Sequence, residues 1–466
     1  MPVMLFTGDA EYAYEFGLCQ EAGLTYFVDR GAPKPKNSAE QEPATVSEGA
    51  ITNLTLLRGD ISSGMRQRIK RLPVIGALLM KARNIYLRCF VTKTAFIRLP
   101  WHINRMRELG RNARAILEIA RPDVMVFPHI NLGEILGCIA VEAKRHGIPV
   151  VVIPYTWIFR DEIMKALIGK PEYQTFGLIN RWVSKRYPQW LFQGYFFLPP
   201  VKIIAIERSK YSTANPWMAD SIADVIALDS EVVLRSYVGD GVPADKCTVT
   251  GSASHDILAR AAFDTRISKA PMTIQTNRPN VDVPFALSFL PPDQTPNQMA
   301  GFEYSSYWEM LLYWIETAMA HDATPAIFSL HPRMKSLRSS LLAHFPKINI
   351  FAGDACELIP HAKFCVGQFG GMMRYAIACA KPVLYYDVFA YNIEKNEFTV
   401  TSSMVTVKGR EAFAGAYARF ATNRAFLSTL EENASVNAPK WGKLDGHAVE
   451  RIEALLEAQC LQSNSL

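Results

Sequence analysis

No pair among the eight cysteines has Cys-x-x-Cys spacing, and none is flanked by histidines at metal-ligand intervals. That excludes a zinc ribbon, a thioredoxin-like dithiol and a disulfide framework. Cysteines such as Cys138, set in Leu-Gly-Cys-Ile-Ala, read as buried free thiols of a reducing compartment. No run of about 18 uncharged apolar residues occurs, so no transmembrane helix is expected. The nearest stretch, Trp190 to Ile206, is broken by Pro199-Pro200 and Lys202. The opening Met-Pro-Val-Met-Leu-Phe-Thr-Gly-Asp lacks a basic lead and a long apolar core, so it is not read as a signal peptide. The expected location is the cytoplasm. The chain also lacks low-complexity tracts and internal repeats.

At 466 residues, 49% hydrophobic and 20% charged, the chain is long enough for two ordinary cores and has a globular balance. The net charge of +6 is mild, but its distribution is not. Between residues 62 and 117 the only acid is Glu108, against basic residues from Arg66 through Arg114. Ile75, Leu78, Tyr86, Phe90 and Phe96 are interleaved with them. This reads as a basic amphipathic helical insertion that contacts anionic lipid or an anionic acceptor, with a solvated helical face as the competing account. Nothing in it matches a nucleic-acid-binding module.

Hydrophobic patterning gives an α/β fold. Val3–Phe6 is a strand, a helix follows from Glu11 to Ala22, and Leu24–Val28 is the next strand. A strand over 121–127, a helix over 132–146 and a buried apolar strand over 148–154 make the parallel β-α-β signature. Residues 157–218 read as an irregular aromatic and basic insertion. Further strands fall at 224–229 and 246–252. The polar stretch 265–283 reads as a linker between an N-terminal domain, 1–264, and a C-terminal domain, 284–466. In the latter, strands are expected at 285–290, 326–330, 347–351, 364–367 and 382–386, with a helical tail from Arg410.

The chemistry-bearing residues collect at strand ends. In a parallel sheet all carboxyl ends lie on one edge, where ligands bind. Gln368-Phe369-Gly370-Gly371 opens a helix whose free N–H groups and dipole suit a phosphate, although a glycine pair also serves a plain tight turn. His331, held by Pro332, and Arg333 can each donate a charge-assisted hydrogen bond to that phosphate. Asp387 and Asn392 follow the next strand and are placed to bond sugar hydroxyls or to cap the next segment. In the first domain, Asp9, Glu11, His129 and the Asp161-Glu162 pair are candidates for a general base, each of which could instead be a cap or a satisfied loop residue. Asp9 and Glu11 are favoured as base, with His129 positioning substrate. No metal-ligand cluster is visible.

The segments Ser329-Leu-His-Pro-Arg, Glu357-Leu-Ile-Pro-His-Ala, Val366-Gly-Gln-Phe-Gly-Gly and Ala378-Cys-Ala-Lys-Pro-Val-Leu-Tyr-Tyr-Asp together resemble the donor domain of GT-B glycosyltransferases. The resemblance is greatest to the capsule and teichoic-acid transferases that use cytidine-activated donors. Lys443-Leu-Asp-Gly-His-Ala-Val-Glu-Arg-Ile resembles the end of surface-carbohydrate enzymes. The resemblance covers roughly residues 121–156 and 222–456. It implies two Rossmann-like domains with a central cleft. It further implies inverting transfer of a sugar or polyol phosphate from a nucleotide donor to a glycan or lipid-linked acceptor, in surface polysaccharide assembly. Such an enzyme needs no metal or cofactor, and peripheral contact with the inner face of the cell membrane would suit its acceptor. Val249-Thr-Gly251-Ser252-Ala-Ser-His-Asp and Phe369-Gly-Gly are also similar to the interdomain crossover and glycine turn of UDP-sugar 2-epimerases, which adds Gly251 and Ser252 to the donor-binding candidates. Against that similarity, Met372-Met373-Arg374-Tyr375 stands where those enzymes carry a Gln-Glu-Glu run. An epimerase or hydrolase is therefore the enzyme alternative, and a non-catalytic sugar-nucleotide-binding scaffold is the alternative from another class.

Overall fold

The computed structural model describes residues 3–5, 95–158, 160–267, 284–294, 302–368, 370–392 and 402–463. The helix and strand expected over 11–28, the basic stretch 62–94, the linker range 268–283, Asp9, Glu11 and Phe369 lie outside these residues. The chain packs as two compact units. One comprises Met1–Ile153, Leu167–Val225 and Gln459–Leu466, and the other Pro154–Ala166 and Ile226–Ala458.

The first unit begins with β1 (Val3–Leu5), α1 (Leu99–Ala120), β2 (Val124–Phe127), α2 (Ile135–Arg145) and β3 (Val150–Val152). β1 pairs parallel with β2, and β2 with β3. Every residue of β2 and β3 is buried, which explains their unbroken Val/Met/Phe runs: both faces of a parallel strand are covered. α1 is the described part of the basic insertion and packs on α2. Its Met106, Leu109, Ala113, Ile116 and Leu117 recur at helical spacing and are buried, while its arginines stay outside.

The segment 157–218, expected to be irregular, is ordered instead. α3 (Arg160–Lys165) lies in the second unit. α4 (Leu178–Arg186), the antiparallel pair β4 (Leu191–Phe192) and β5 (Tyr195–Phe196), and α5 (Pro200–Arg208) lie in the first. These elements are short, none longer than nine residues. Trp190 and Phe196, both fully buried, hold the hairpin down.

The second unit contains β6 (Val225–Leu228) from Ile226 onward, α6 (Glu231–Gly239), β7 (Cys247–Val249) and α7 (Ala253–Ile267), with β6 and β7 parallel. Then follow β8 (Ala286–Leu290), α8 (Tyr307–Met319), β9 (Ala326–Leu330), α9 (Arg338–His344), β10 (Asn349–Phe351), α10 (Ala355–Leu358), β11 (Phe364–Gly367), α11 (Gly371–Ala378), β12 (Val383–Tyr386) and β13 (Met404–Val407). The chain closes with α12 (Arg410–Thr422), α13 (Arg424–Trp441) and α14 (Ala448–Ser463). These last strands form one parallel sheet in the order β10-β9-β8-β11-β12-β13. Trp314, Phe328, Phe364, Tyr386, Phe413 and Tyr417 fill its core. The indole of Trp314 donates to Ser288 Oγ at 2.8 Å, so the one hydroxyl inside β8 is satisfied. Two parallel α/β assemblies in series are the architecture the sequence predicted.

Candidate functional site

Strand order decides which residues can meet. β9, β8, β11 and β12 are neighbours in the second unit's sheet, and all run the same way. His331, Gln368 with Gly370-Gly371, and Asp387 follow β9, β11 and β12, so they share one edge.

His331 is half-buried and caps the short 3₁₀ turn Pro332–Leu337, its Nδ1 accepting from Arg333 N at 3.2 Å. That bond puts the proton of the neutral ring on Nε2, where it can be donated onward. Pro332 and Arg333 are exposed, and Gln368 is buried. Gly370 is extended and Gly371 helical. A Cβ on either would meet nothing closer than 3.6 Å. Among the described residues nothing sterically requires this glycine pair, and it leaves the first turn of α11 approachable.

α11 is anchored from beneath. Arg374, 4% exposed, pairs with Asp229 at the end of β6 at 2.5 Å. Tyr375 OH lies 3.4 Å from Ser252 Oγ, and its ring meets His255 edge-on. Gly251 needs to be glycine twice over. Its φ is +84°, and an added Cβ would stand 2.9 Å from that of Ala448. Arg451 donates to Thr250 O at 2.7 Å, and Asp256 accepts from the N–H groups of Ala448 and Val449 at 2.9 Å each. Gly251 and Ser252 therefore sit in a packing junction that seats α14. His255, which sequence reasoning left unassigned, is fully buried there. Ser252 N donates to its Nδ1 at 3.2 Å, its Nε2 has no partner among the described residues, and burial lowers its pKa.

Asp387 is spent on the backbone. Its two oxygens accept from the N–H groups of Tyr391 and Asn392, both at 2.8 Å. They hold a turn in which Ala390 and Asn392 adopt φ of 56° and 53°. Of the two roles left open for Asp387, the local cap is the one its geometry fills. Asn392 binds Ala390 O through its amide, and its side-chain oxygen accepts from Lys408 at 2.7 Å. Beside this turn is a cavity of about 220 Å³ lined by Tyr304, Tyr386, Asp387, Ala390, Asn392 and Lys408. It is smaller than the roughly 300–1,000 Å³ of whole-ligand pockets, and so is sized for part of a ligand.

Glu162 belongs to the same unit. α3 is pinned by Arg160, which donates to Asp240 from its backbone at 2.9 Å and from its side chain at 3.0 Å. Burial pushes the Glu162 carboxyl up to about 7, and its charge in turn disfavours ionisation of Tyr385 and Tyr391. The backbone carbonyl of Asn392 accepts from Lys165. A carboxyl that titrates near neutrality can act as general acid or base.

In the first unit, His129 follows β2 directly. Its Nδ1 lies 3.1 and 3.3 Å from the two oxygens of Asp220, whose carboxylate is 2% exposed and also accepts from Ile130 N at 2.8 Å. Burial disfavours the imidazolium, but the Asp220 charge and hydrogen bond outweigh it, and the His129 pKa is raised. A hydrogen bond to Asn131 adds to the upward shift, and with Nδ1–H on the carboxylate the neutral ring carries its lone pair on Nε2, on a side chain that is 22% exposed. A base oriented by a buried acid is the arrangement that activates hydroxyl nucleophiles. Asp220 was missed from sequence, because it lies 91 positions away in a stretch with no motif.

Among the described residues, no group of His, Cys, Asp and Glu could hold a metal ion, and no helix is long and apolar enough to cross a membrane. No known family model and no curated protein matches the chain. Solved structures do resemble it. UDP-GlcNAc 2-epimerase from Neisseria meningitidis, bound to UDP-GlcNAc, is 16% identical with a TM-score of 0.45, covering 76% of this chain and 82% of that one. UDP-N-acetylglucosamine 2-epimerase from Rickettsia bellii is 14% identical, with a TM-score of 0.44 and coverage of 99% and 97%. The glycotransferase of kitacinnamycin is 13% identical, with a TM-score of 0.43 and coverage of 78% and 83%. At such identities and TM-scores, function has to be argued from this chain's own residues.

Proposed function

We propose that the protein is a GT-B enzyme acting on a nucleotide-activated sugar. In this reading it is an inverting transferase that moves a sugar or polyol phosphate from a cytidine-linked donor to a glycan or lipid-linked acceptor of surface polysaccharide assembly. The His129–Asp220 pair carries the reading, because transfer to a hydroxyl needs a base to take its proton as the bond forms. His129 is thereby promoted from positioning residue to base. Asp9 and Glu11 remain candidates outside the described residues. On the donor side, the open glycine pair at the start of α11 and the Nε2–H of His331 support a phosphate, and no metal is required. Gly251 and Ser252 would support the donor only indirectly, by fixing the junction beneath Tyr375.

A further feature supports peripheral contact with an anionic membrane. Phe176, Leu178 and Trp182 are 82%, 85% and 53% exposed, beside the exposed Arg181, Lys185 and Arg186 of α4. Epimerisation at C2 is the second reading, favoured by Glu162. That reaction removes and returns a proton, and a carboxyl with a pKa of about 7 can both accept and donate one.

The test is a thermal-shift screen against CMP, CDP and UDP, followed by turnover. A ligand at about a hundred times its dissociation constant stabilises the fold by about 2.7 kcal/mol. A cytidine-specific shift, an acceptor-dependent product, and loss of that product in His129→Ala with binding intact would uphold the transferase. Incorporation of solvent deuterium into UDP-N-acetylglucosamine without an acceptor would replace it by the epimerase. No shift with any nucleotide would remove both.

A further inference from the structure

The first unit holds a second concavity, of about 1,070 Å³. Arg107, Arg111 and Arg114 of α1 line it, with Arg145 at the end of α2 and Arg208 and Lys210 beyond α5. Steps of four and three residues put the α1 arginines on one helix face, where like charges repel. All six side chains are exposed. Arg107, Arg111 and Arg208 have no carboxylate partner among the described residues.

A buried acid lies beneath the groove. Glu142, 2% exposed, accepts from Arg114 at 3.1 Å, from Arg145 at 2.8 Å and from the hydroxyl of Tyr211. It neutralises one charge and fixes the direction of two guanidinium groups. Arg145 is held further, by the carbonyl of Lys210 and by the Tyr211 ring 4.9 Å below it. Gly110 makes this floor possible, since a Cβ there would fall 2.0 Å from the Tyr211 hydroxyl. The hydroxyl of Ser209, also in the lining, is buried with no partner among the described residues.

From these features we infer that the groove is a binding site for an oligophosphate chain, a ligand carrying two or more linked phosphate groups. Guanidinium forks fixed from behind match phosphate oxygens, and a row of unpaired cations needs several negative charges. Among the described residues the lining offers no exposed aromatic face to stack a base, because Tyr211, the one aromatic residue there, is buried beneath Arg145. The recognised part is therefore the phosphate chain and not a nucleoside. This site is independent of the donor-binding reading above.

The experiment measures binding of inorganic tripolyphosphate to the full chain at two salt concentrations. The wild type and the double variant Arg111→Gln/Arg208→Gln are compared with a charge-matched control, Arg105→Gln/Arg424→Gln, whose residues are exposed and lie outside the lining. Salt-sensitive wild-type binding, a loss of at least about tenfold in the groove variant and near-wild-type binding in the control are expected. Thermal midpoints should be unchanged in both, because none of these four side chains is paired among the described residues. Equal losses in the two variants would reduce the effect to net charge and overturn the proposal, as would wild-type binding in the groove variant or none in the wild type. The source of the phosphates is read by competition. If phosphatidylcholine vesicles carrying a polyprenyl diphosphate displace tripolyphosphate and plain phosphatidylcholine vesicles do not, the groove takes a lipid-borne oligophosphate; if both leave it bound, the groove takes a soluble one.

Discussion

Glu162→Gln offers a direct check on the environment of α3. The wild-type carboxyl is raised by burial from 4.5 to about 7. Between those values the folded chain keeps a proton that the unfolded chain has released. Stability therefore falls as pH rises across that window: the contribution of the neutral carboxyl is complete below about 4.5 and is lost as pH passes about 7. At about 1.4 kcal/mol per pH unit, the loss is about 3 kcal/mol, an upper figure for a side chain that water partly reaches. Glutamine keeps the shape and cannot ionise, so its variant lacks this loss. Urea unfolding of both proteins at about pH 5 and about pH 8 measures the difference. His129, whose pKa is also raised, adds a loss of the same sign in both proteins and cancels. The wild type should lose up to about 3 kcal/mol more than the variant between the two pH values. PH dependence that agrees within about 0.5 kcal/mol would refute the assignment of a buried, neutral carboxyl.

Arg374→Met should destabilise the protein by about 3–5 kcal/mol, because it strands Asp229 in the interior. Adding Asp229→Asn should recover much of that in urea unfolding, and a cost below about 1 kcal/mol for the single change would contradict a buried pair. Gly110→Ala should cost about 1–3 kcal/mol, because the new methyl forces the Tyr211 phenol off Glu142. The Tyr211 phenol, held up to about 12 by burial and by Glu142, should then titrate lower in ultraviolet difference spectra. An unchanged melting point and titration would show that the helix absorbs the methyl elsewhere.

The parallel strands were legible because each is a short, fully apolar run closed by a polar turn, as in Phe364–Gly367 before Gln368. The residues at their ends followed from the sheet rule alone. β13 was not legible. Only Met404 of Met404–Val407 is buried, and the strand lies at the sheet edge with Thr406 exposed, so it lacks the continuous apolar run of its neighbours. The helices of 160–208 escaped for a related reason. α4 spans only nine residues and buries only Val183, so its apolar positions face water and are too few to mark a helix reliably in the sequence. At the sites, residue types were readable and partners were not. Asp220 orients His129 across 91 positions, and Asp387 proved to be occupied by the two N–H groups of the turn it follows. Such pairings are fixed by tertiary packing, which spacing along a chain does not encode.

The buried Glu142 divides the arginines of the first unit into two populations under different constraints. Arg114 and Arg145 reach down to the acid, and Arg145 also reaches the Lys210 carbonyl, so each relies on the planar fork of its guanidinium. Arg107, Arg111 and Arg208 supply charge to open space. Over many generations of substitution the second group can drift to lysine without losing a contact, whereas loss of both cations of the first would leave an uncompensated acid inside the protein. A sequence family built on this fold should therefore keep a cation at 114 or 145 wherever an acid is held at 142.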